Sequence, residues 1–121
     1  MARSQPPRGS ATPTAMAALL QQAVQLHQAG RLKEAESAYD LVLARDPKQG
    51  DALNLKGVIA LGLGRVAEAV SLSTRAVAAA PAHAPAHFNR GNALAAAGDD
   101  EQALAAYNKA IALSPASPDA Y

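Results

Sequence analysis

The 121-residue chain contains no cysteine and no tryptophan, and only three tyrosines and one phenylalanine. The lack of cysteine excludes disulfides, thiolate metal sites and a cysteine nucleophile. No apolar run approaches the roughly 20 residues that a membrane-spanning helix requires. The net charge is +1, with acids and bases interspersed, so the chain has no basic stripe for a phosphate backbone. We therefore expect no binding to nucleic acid or to membranes.

Alanine is the residue that the chain has in excess, at about a quarter of all positions. Alanine has the best intrinsic helix propensity of the twenty residues. Its small side chain also lets helix backbones approach closely. The composition therefore favours an all-α protein with closely packed helices.

Residues 1–15 differ in composition from the rest of the chain. They contain proline, arginine and glycine but no acidic residue, and they lack the apolar segment of a secretory signal peptide. We predict a disordered leader over 1–15 and a cytoplasmic location. A transit peptide, which would be rich in arginine and free of acids, is the alternative.

Glycine, proline and alanine recur along the chain at an interval of 34 residues. The positions that keep the interval are Gly30, Gly64 and Gly98; Pro47, Pro81 and Pro115; and Ala35, Ala69 and Ala103. The register predicts three units, 16–49, 50–83 and 84–117. Residues 118–121 would then begin a truncated fourth unit.

Each unit contains two segments with helical apolar spacing on either side of its glycine. The predicted helices cover 18–29, 33–45, 52–63, 67–80, 86–97 and 101–113. A left-handed glycine would end the first helix of each unit, and the proline would end the second. Two helices joined by a short glycine turn form an antiparallel hairpin. We expect the hairpin helices to cross most closely at their small residues, which are Ala23, Gly57 and Gly91 on the first helices and Ala35, Ala69 and Ala103 on the second.

This pattern resembles the tetratricopeptide repeat family in its small residues, glycine, alanine and proline at fixed positions of each unit. The segment 52–57 is similar to the repeats of bacterial O-linked N-acetylglucosamine transferase-like proteins. The resemblance implies a right-handed solenoid of three antiparallel helical hairpins, ending at the start of a fourth. Ser73 departs from the family, whose aromatic residue at this position is kept by Tyr39 and Tyr107. We expect this departure to weaken packing locally.

In this family the first helix of each unit lines a concave groove that binds polypeptides. The residues that the resemblance places on this groove are Leu20, Asn54, Val58, Phe88, Asn89 and Asn92. The side-chain amides of Asn54, Asn89 and Asn92 could donate hydrogen bonds to a peptide backbone and accept them from it. The alternative is that they are solvated polar residues on an exposed helix face. Because the groove positions carry no basic residue, we do not expect binding of a chaperone's acidic C-terminus.

No constellation for catalysis or metal binding is evident in the sequence. His83 and His87 have a metal-ligand spacing, but Pro85 lies between them and no third ligand is apparent. No serine has a histidine at a motif spacing. We therefore expect no metal, no cofactor and no enzymatic activity.

The function that the sequence favours is protein–protein interaction, with a polypeptide segment bound in the concave groove. The alternative is an N-terminal arm that recruits substrates for a larger enzyme such as a glycosyltransferase.

The helix predicted at 101–113 would expose Leu104, Ala106 and Ile111 on the side that a fourth unit would cover. This uncapped end could also support self-association.

Overall fold

The computed structural model describes residues 13–114, which form six α-helices and no strand. The helices are α1 (Pro13–Gln28), α2 (Leu32–Arg45), α3 (Gly50–Gly62), α4 (Val66–Ala79), α5 (Ala84–Ala96) and α6 (Asp100–Leu113). The all-α class and the pairing of helices into hairpins are confirmed. Among the residues described, no helix is both long enough and apolar enough to cross a membrane.

The helices belong to two compact units. The first, Met1–Pro47, holds the hairpin of α1 and α2, and the second, Lys48–Tyr121, holds the hairpins α3–α4 and α5–α6. Helix α1 begins at Pro13, so the last three residues of the predicted leader are helical. The rest of that leader and the predicted start of a fourth unit lie outside the described residues.

The glycine turns between the helices of each hairpin are as predicted. Gly30, Gly64 and Gly98 have φ angles of +80°, +81° and +85°, in the left-handed region that disfavours a side chain. After α3, the Gly64 N–H donates to the Leu61 carbonyl at 3.0 Å and the Arg65 N–H donates to the Ala60 carbonyl at 2.8 Å. The same two bonds recur after α1 and α5. They satisfy carbonyls that the helix ends would otherwise leave unpaired.

The core of each unit consists mainly of small residues. In the first unit, Ala23, Ala35 and Tyr39 are completely buried. In the second unit, Leu94 packs with Ala103 and Ala106, and Val70 and Tyr107 lie against this cluster. Alanine at the crossing points lets the helices come close together, so a core forms with few aromatic residues.

The prediction that Ala106 is exposed on α6 is wrong. Ala106 is 3% exposed, whereas Leu104 and Ile111 are 61% and 59% exposed. Ala103, Ala106 and Ala110 follow the three- and four-residue spacing of one helix face, and this face packs into the core. Leu104 and Ile111 lie on a different face of the helix.

Candidate functional site

Five of the six predicted groove residues lie in the second unit. Asn54 and Val58 are on α3, and Phe88, Asn89 and Asn92 are on α5. Their places on these helices follow from the 34-residue register, which aligns α5 with α3 in the repeat. The sixth, Leu20, is half-buried on α1 of the first unit. Its role in binding remains a prediction.

A side-chain hydrogen bond joins α3 to α5. The Asn89 Nδ2 group donates to Asn54 Oδ1 at 2.9 Å. Asn54 is 4% exposed, so it is neither the solvated surface residue of the alternative nor, as the groove prediction had it, accessible for direct contact with a peptide, and it instead positions Asn89. A buried amide is tolerated when it is hydrogen-bonded. The bond also fixes the Asn89 amide, and its Oδ1 atom is left as an acceptor.

A second hydrogen bond fixes the orientation of Asn92. The Tyr107 hydroxyl on α6 donates to Asn92 Oδ1 at 2.6 Å. Because this oxygen is used, the Nδ2 group of Asn92 remains as a donor. No buried side-chain nitrogen or oxygen of the described part of the chain lacks a partner, so this Nδ2 group is not fully buried. Sequence reasoning identified Asn92 but missed the positioning role of Tyr107, which it treated as a packing residue.

Phe88 contributes an apolar surface beside these amides. Its side chain is 52% exposed, and its ring lies 5.5 Å from the Tyr107 ring, centroid to centroid, at a tilt of 53°. Tilted aromatic pairs at this separation attract each other. Tyr107 therefore contacts Phe88 through its ring and Asn92 through its hydroxyl group.

A cavity of about 60 Å³ lies between α3, α4 and α5. Its lining residues are small, apolar or neutral: Gly57, Val58, Leu61, Ala69, Ser73, Asn89 and Asn92. Three of the predicted groove residues, Val58, Asn89 and Asn92, line this one cavity. None of these lining residues carries a charge.

The histidines make local contacts and do not converge. His87 Nε2 donates to the Pro81 carbonyl at 2.8 Å, and His83 Nε2 lies 3.9 Å from Asp51 Oδ1. Across residues 13–114, no three side chains of histidine, aspartate or glutamate cluster as metal ligands would.

These hairpins, with a left-handed glycine between their helices and a 34-residue register, define a helical-repeat protein. The sequence profile of the tetratricopeptide repeat matches residues 20–84 and 55–118. The chain belongs to the tetratricopeptide repeat family.

Among solved structures, the chain is similar to an O-GlcNAc transferase of Thermobaculum terrenum, carrying the substitution K341M, with 34% identity and a TM-score of 0.80. The match covers 84% of this chain but 19% of the transferase chain. MamA of Desulfovibrio magneticus RS-1 is 30% identical with a TM-score of 0.74, over 83% of this chain and 56% of that one. This chain thus spans about a fifth of the transferase and over half of the MamA chain.

The first TPR of Spaghetti (RPAP3), bound to the HSP90 peptide SRMEEVD, has a TM-score of 0.81 at 23% identity. The match covers 90% of this chain and 86% of that one. At this identity the likeness concerns the fold alone. No curated protein sequence matches the chain.

Proposed function

We propose that this chain is a protein-interaction module, without catalytic activity, that binds a polypeptide segment along the face formed by α3 and α5. The observation that carries the proposal is the fixed orientation of two amides on α5. Asn92 offers its Nδ2 group as a donor, because Tyr107 donates to its oxygen. Asn89 offers Oδ1 as an acceptor, because its nitrogen donates to Asn54.

A donor and an acceptor three residues apart on one helix match what a peptide backbone presents. Each peptide unit carries one C=O and one N–H, and residues at i and i+3 lie on the same helix face. Since the amides are already held by hydrogen bonds, binding would order few additional rotamers, which lowers the entropic cost of association. The recognition does not depend on the ligand's side chains, so we expect a broad range of sequences to bind.

The charge of this face suggests which class of segment it binds. The Spaghetti repeat domain of the same fold binds the peptide SRMEEVD, in which three of the last four residues are acidic. Neither the predicted groove positions nor the cavity lining of this chain carries a basic residue. We therefore propose a neutral, partly apolar segment as the ligand, with Phe88 contributing apolar contact.

The proposal can be tested with a displayed library of random 12-residue peptides. The purified chain should select binding peptides, and one of them would be synthesised for calorimetric titration. Asn92→Asp keeps the oxygen that accepts from Tyr107 but replaces the free donor with a carboxylate oxygen. We expect it to weaken binding about tenfold or more, through one lost hydrogen bond and repulsion of a peptide carbonyl.

Asn108→Asp is the matched control for this titration. Asn108 is exposed on α6, and the substitution introduces the same charge. We expect its affinity to equal that of the unchanged chain. Failure to select any peptide would contradict the proposal, as would equal affinities for Asn92→Asp and Asn108→Asp.

A second candidate function is that of a substrate-recruiting arm on a larger enzyme. It is favoured by the 34% identity with the O-GlcNAc transferase, of which this chain covers 19%. The repeat would still bind polypeptide, but its ligand would be the substrate of an attached catalytic domain. Sequencing the gene beyond the codon for Tyr121 tests this idea. A continuous frame into a glycosyltransferase domain would support it, and an immediate stop codon would refute it.

A further inference from the structure

The cavity between α3, α4 and α5 lies where the middle repeat lacks an aromatic ring. Tyr39 and Tyr107 occupy equivalent positions in the first and third repeats, and Ser73 occupies this position in the second. Tyr39 is completely buried, and Tyr107 is half-buried. Ser73 is 2% exposed but lines a cavity of about 60 Å³.

The two glycines that face these positions show what the missing ring changes. A Cβ built on Gly91 would lie 2.6 Å from Cε1 and 2.7 Å from Cδ1 of Tyr107, so the ring sits directly on the glycine. A Cβ built on Gly57 would meet Leu72 Cβ at 3.4 Å and the Ser73 backbone nitrogen at 3.6 Å, both ordinary contacts. At Gly57 the backbone of α4 thus lies where the Tyr107 ring lies at Gly91, and the space that remains beside this contact is the cavity.

We infer that this cavity is a subsite for one small aliphatic side chain of the bound polypeptide, an inference that rests on the proposed function. Its floor and walls are apolar at Gly57, Val58, Leu61 and Ala69. The Ser73 hydroxyl donates to the Val70 carbonyl of its own helix at 3.1 Å. It is therefore satisfied locally and does not call for a polar ligand.

The chemistry and size of the cavity define what it accepts. A charged side chain would find no counter-charge among the lining residues, and burying an unpaired charge is strongly unfavourable. The space of about 60 Å³ is well below the roughly 150 Å³ of an engineered cavity that binds benzene, so we expect a small side chain to fit it better than an aromatic ring. Branched aliphatic side chains such as valine combine the right size with the right polarity.

The amides at the edge of the cavity link this subsite to the peptide backbone. Asn89 and Asn92 both line it, and they are the residues that present an acceptor and a donor. A backbone held by these amides would place a side chain of the same residue, or of its neighbour, over the cavity. The broad, backbone-based recognition would thus gain one position of sequence preference.

The first experiment uses xenon as an apolar probe, because it needs no peptide. Under xenon pressure, the amide NMR signals of cavity-lining residues, such as Gly57 and Val58, should shift in the unchanged chain. Ser73→Val adds methyl groups to the cavity and should abolish these shifts. Ser71→Val makes the same change at an exposed position of α4 and should keep them. No shift in the unchanged chain would overturn the inference.

The second experiment tests the peptide with the same variants. A peptide from the displayed library should lose about tenfold in affinity when its aliphatic residue is replaced by glycine or when Ser73→Val fills the cavity. Ser71→Val should bind it as the unchanged chain does. A thermal melt verifies that Ser73→Val is folded. If it is not, Gly57→Ala serves in its place, since its Cβ fits without a clash.

The outcomes separate this inference from the proposed function. If peptides bind but show no aliphatic preference, and Ser73→Val binds them equally well, the subsite is refuted while the interaction module stands. If no peptide is selected, both the module and the subsite are refuted, even if xenon enters the cavity.

Discussion

Alanine substitutions at Gly57 and Gly91 should have opposite effects on stability, although the two glycines occupy equivalent positions of neighbouring repeats. Each lies inside a helix, where alanine is favoured over glycine by roughly 0.5–1 kcal/mol. At Gly57 the added methyl group meets its nearest neighbour, Leu72 Cβ, at 3.4 Å. We therefore expect Gly57→Ala to be neutral or to raise the free energy of unfolding by up to about 1 kcal/mol.

At Gly91 the same methyl group would lie 2.6 Å from the Tyr107 ring. The ring must move, and overpacking of this kind costs about 1–3 kcal/mol. Moving the ring also strains the hydroxyl bond to Asn92, which is worth about 0.5–1.5 kcal/mol. After the gain in helix propensity, we expect Gly91→Ala to lower the free energy of unfolding by about 1–3 kcal/mol.

Thermal unfolding followed by circular dichroism measures this difference. For a domain of this size, 1 kcal/mol shifts the melting temperature by about 4–8 °C, so the two variants should differ by at least that amount. Both variants make the same chemical change at the same helix position, so each is the control for the other. Equal melting temperatures, or a lower one for Gly57→Ala, would refute the idea that only the third repeat has a ring packed on its glycine.

Three further predictions concern the turns, the positioning residue and the exposed face of α6. Gly64→Ala should lower the free energy of unfolding by more than about 1 kcal/mol, because the φ angle of Gly64 is +81°. Gly62→Ala, whose Cβ would lie in open space, should not lower it, and thermal melts of the two variants measure the difference. Tyr107→Phe should weaken peptide binding a few-fold by freeing the Asn92 amide, with at most about 1.5 kcal/mol lost in urea unfolding; unchanged affinity would contradict its positioning role. Self-association through the exposed side chains of Leu104 and Ile111 remains a prediction. Changing both residues to glutamate should yield a monomer in sedimentation, and an unchanged oligomer would exclude this face of α6.

Gln102, in the first turn of α6, is unsuitable as a control position for substitutions because it is hydrogen-bonded to Asp99. Gln102 is exposed, and from the sequence it looks like a neutral position for comparison. In the structure its backbone N–H donates to Asp99 Oδ1 at 3.1 Å, and its side chain donates to Asp99 Oδ2 at 2.7 Å. The first bond caps the helix through Asp99 and survives a substitution of Gln102, but the second is lost with the side chain, so the substitution is not neutral. Asn108, exposed in the last half of α6, is the better reference.

Features that depend on nearby residues could be predicted from the sequence. The left-handed turns at Gly30, Gly64 and Gly98 follow from local backbone sterics and from their 34-residue spacing. Helix α2 ends at Arg45 and α4 at Ala79, each two residues before a proline, because the residue before proline disfavours the helical conformation. The exposure of Ala106 was predicted wrongly, although its spacing from Ala103 and Ala110 already marks it as part of the buried face.

The geometry of the candidate site could not be predicted in the same way. The bond between Asn54 and Asn89 joins residues 35 positions apart, and it depends on how closely two helices of neighbouring repeats approach. Ser73 was visible as a departure from the family. The sequence does not determine whether the surrounding helices collapse onto a small side chain or leave a cavity, because this depends on the packing of α3, α4 and α5 together.

The central claim is that the amides of α5 contact the polypeptide that this chain binds. NMR titration with a peptide from the displayed library tests it most directly, through the side-chain amide signals of asparagine. We expect the signals of Asn89 and Asn92 to shift with added peptide, while that of Asn108, which is exposed on α6, stays in place. Shifts at Asn108 with none at Asn89 and Asn92 would place the binding surface elsewhere and contradict the account.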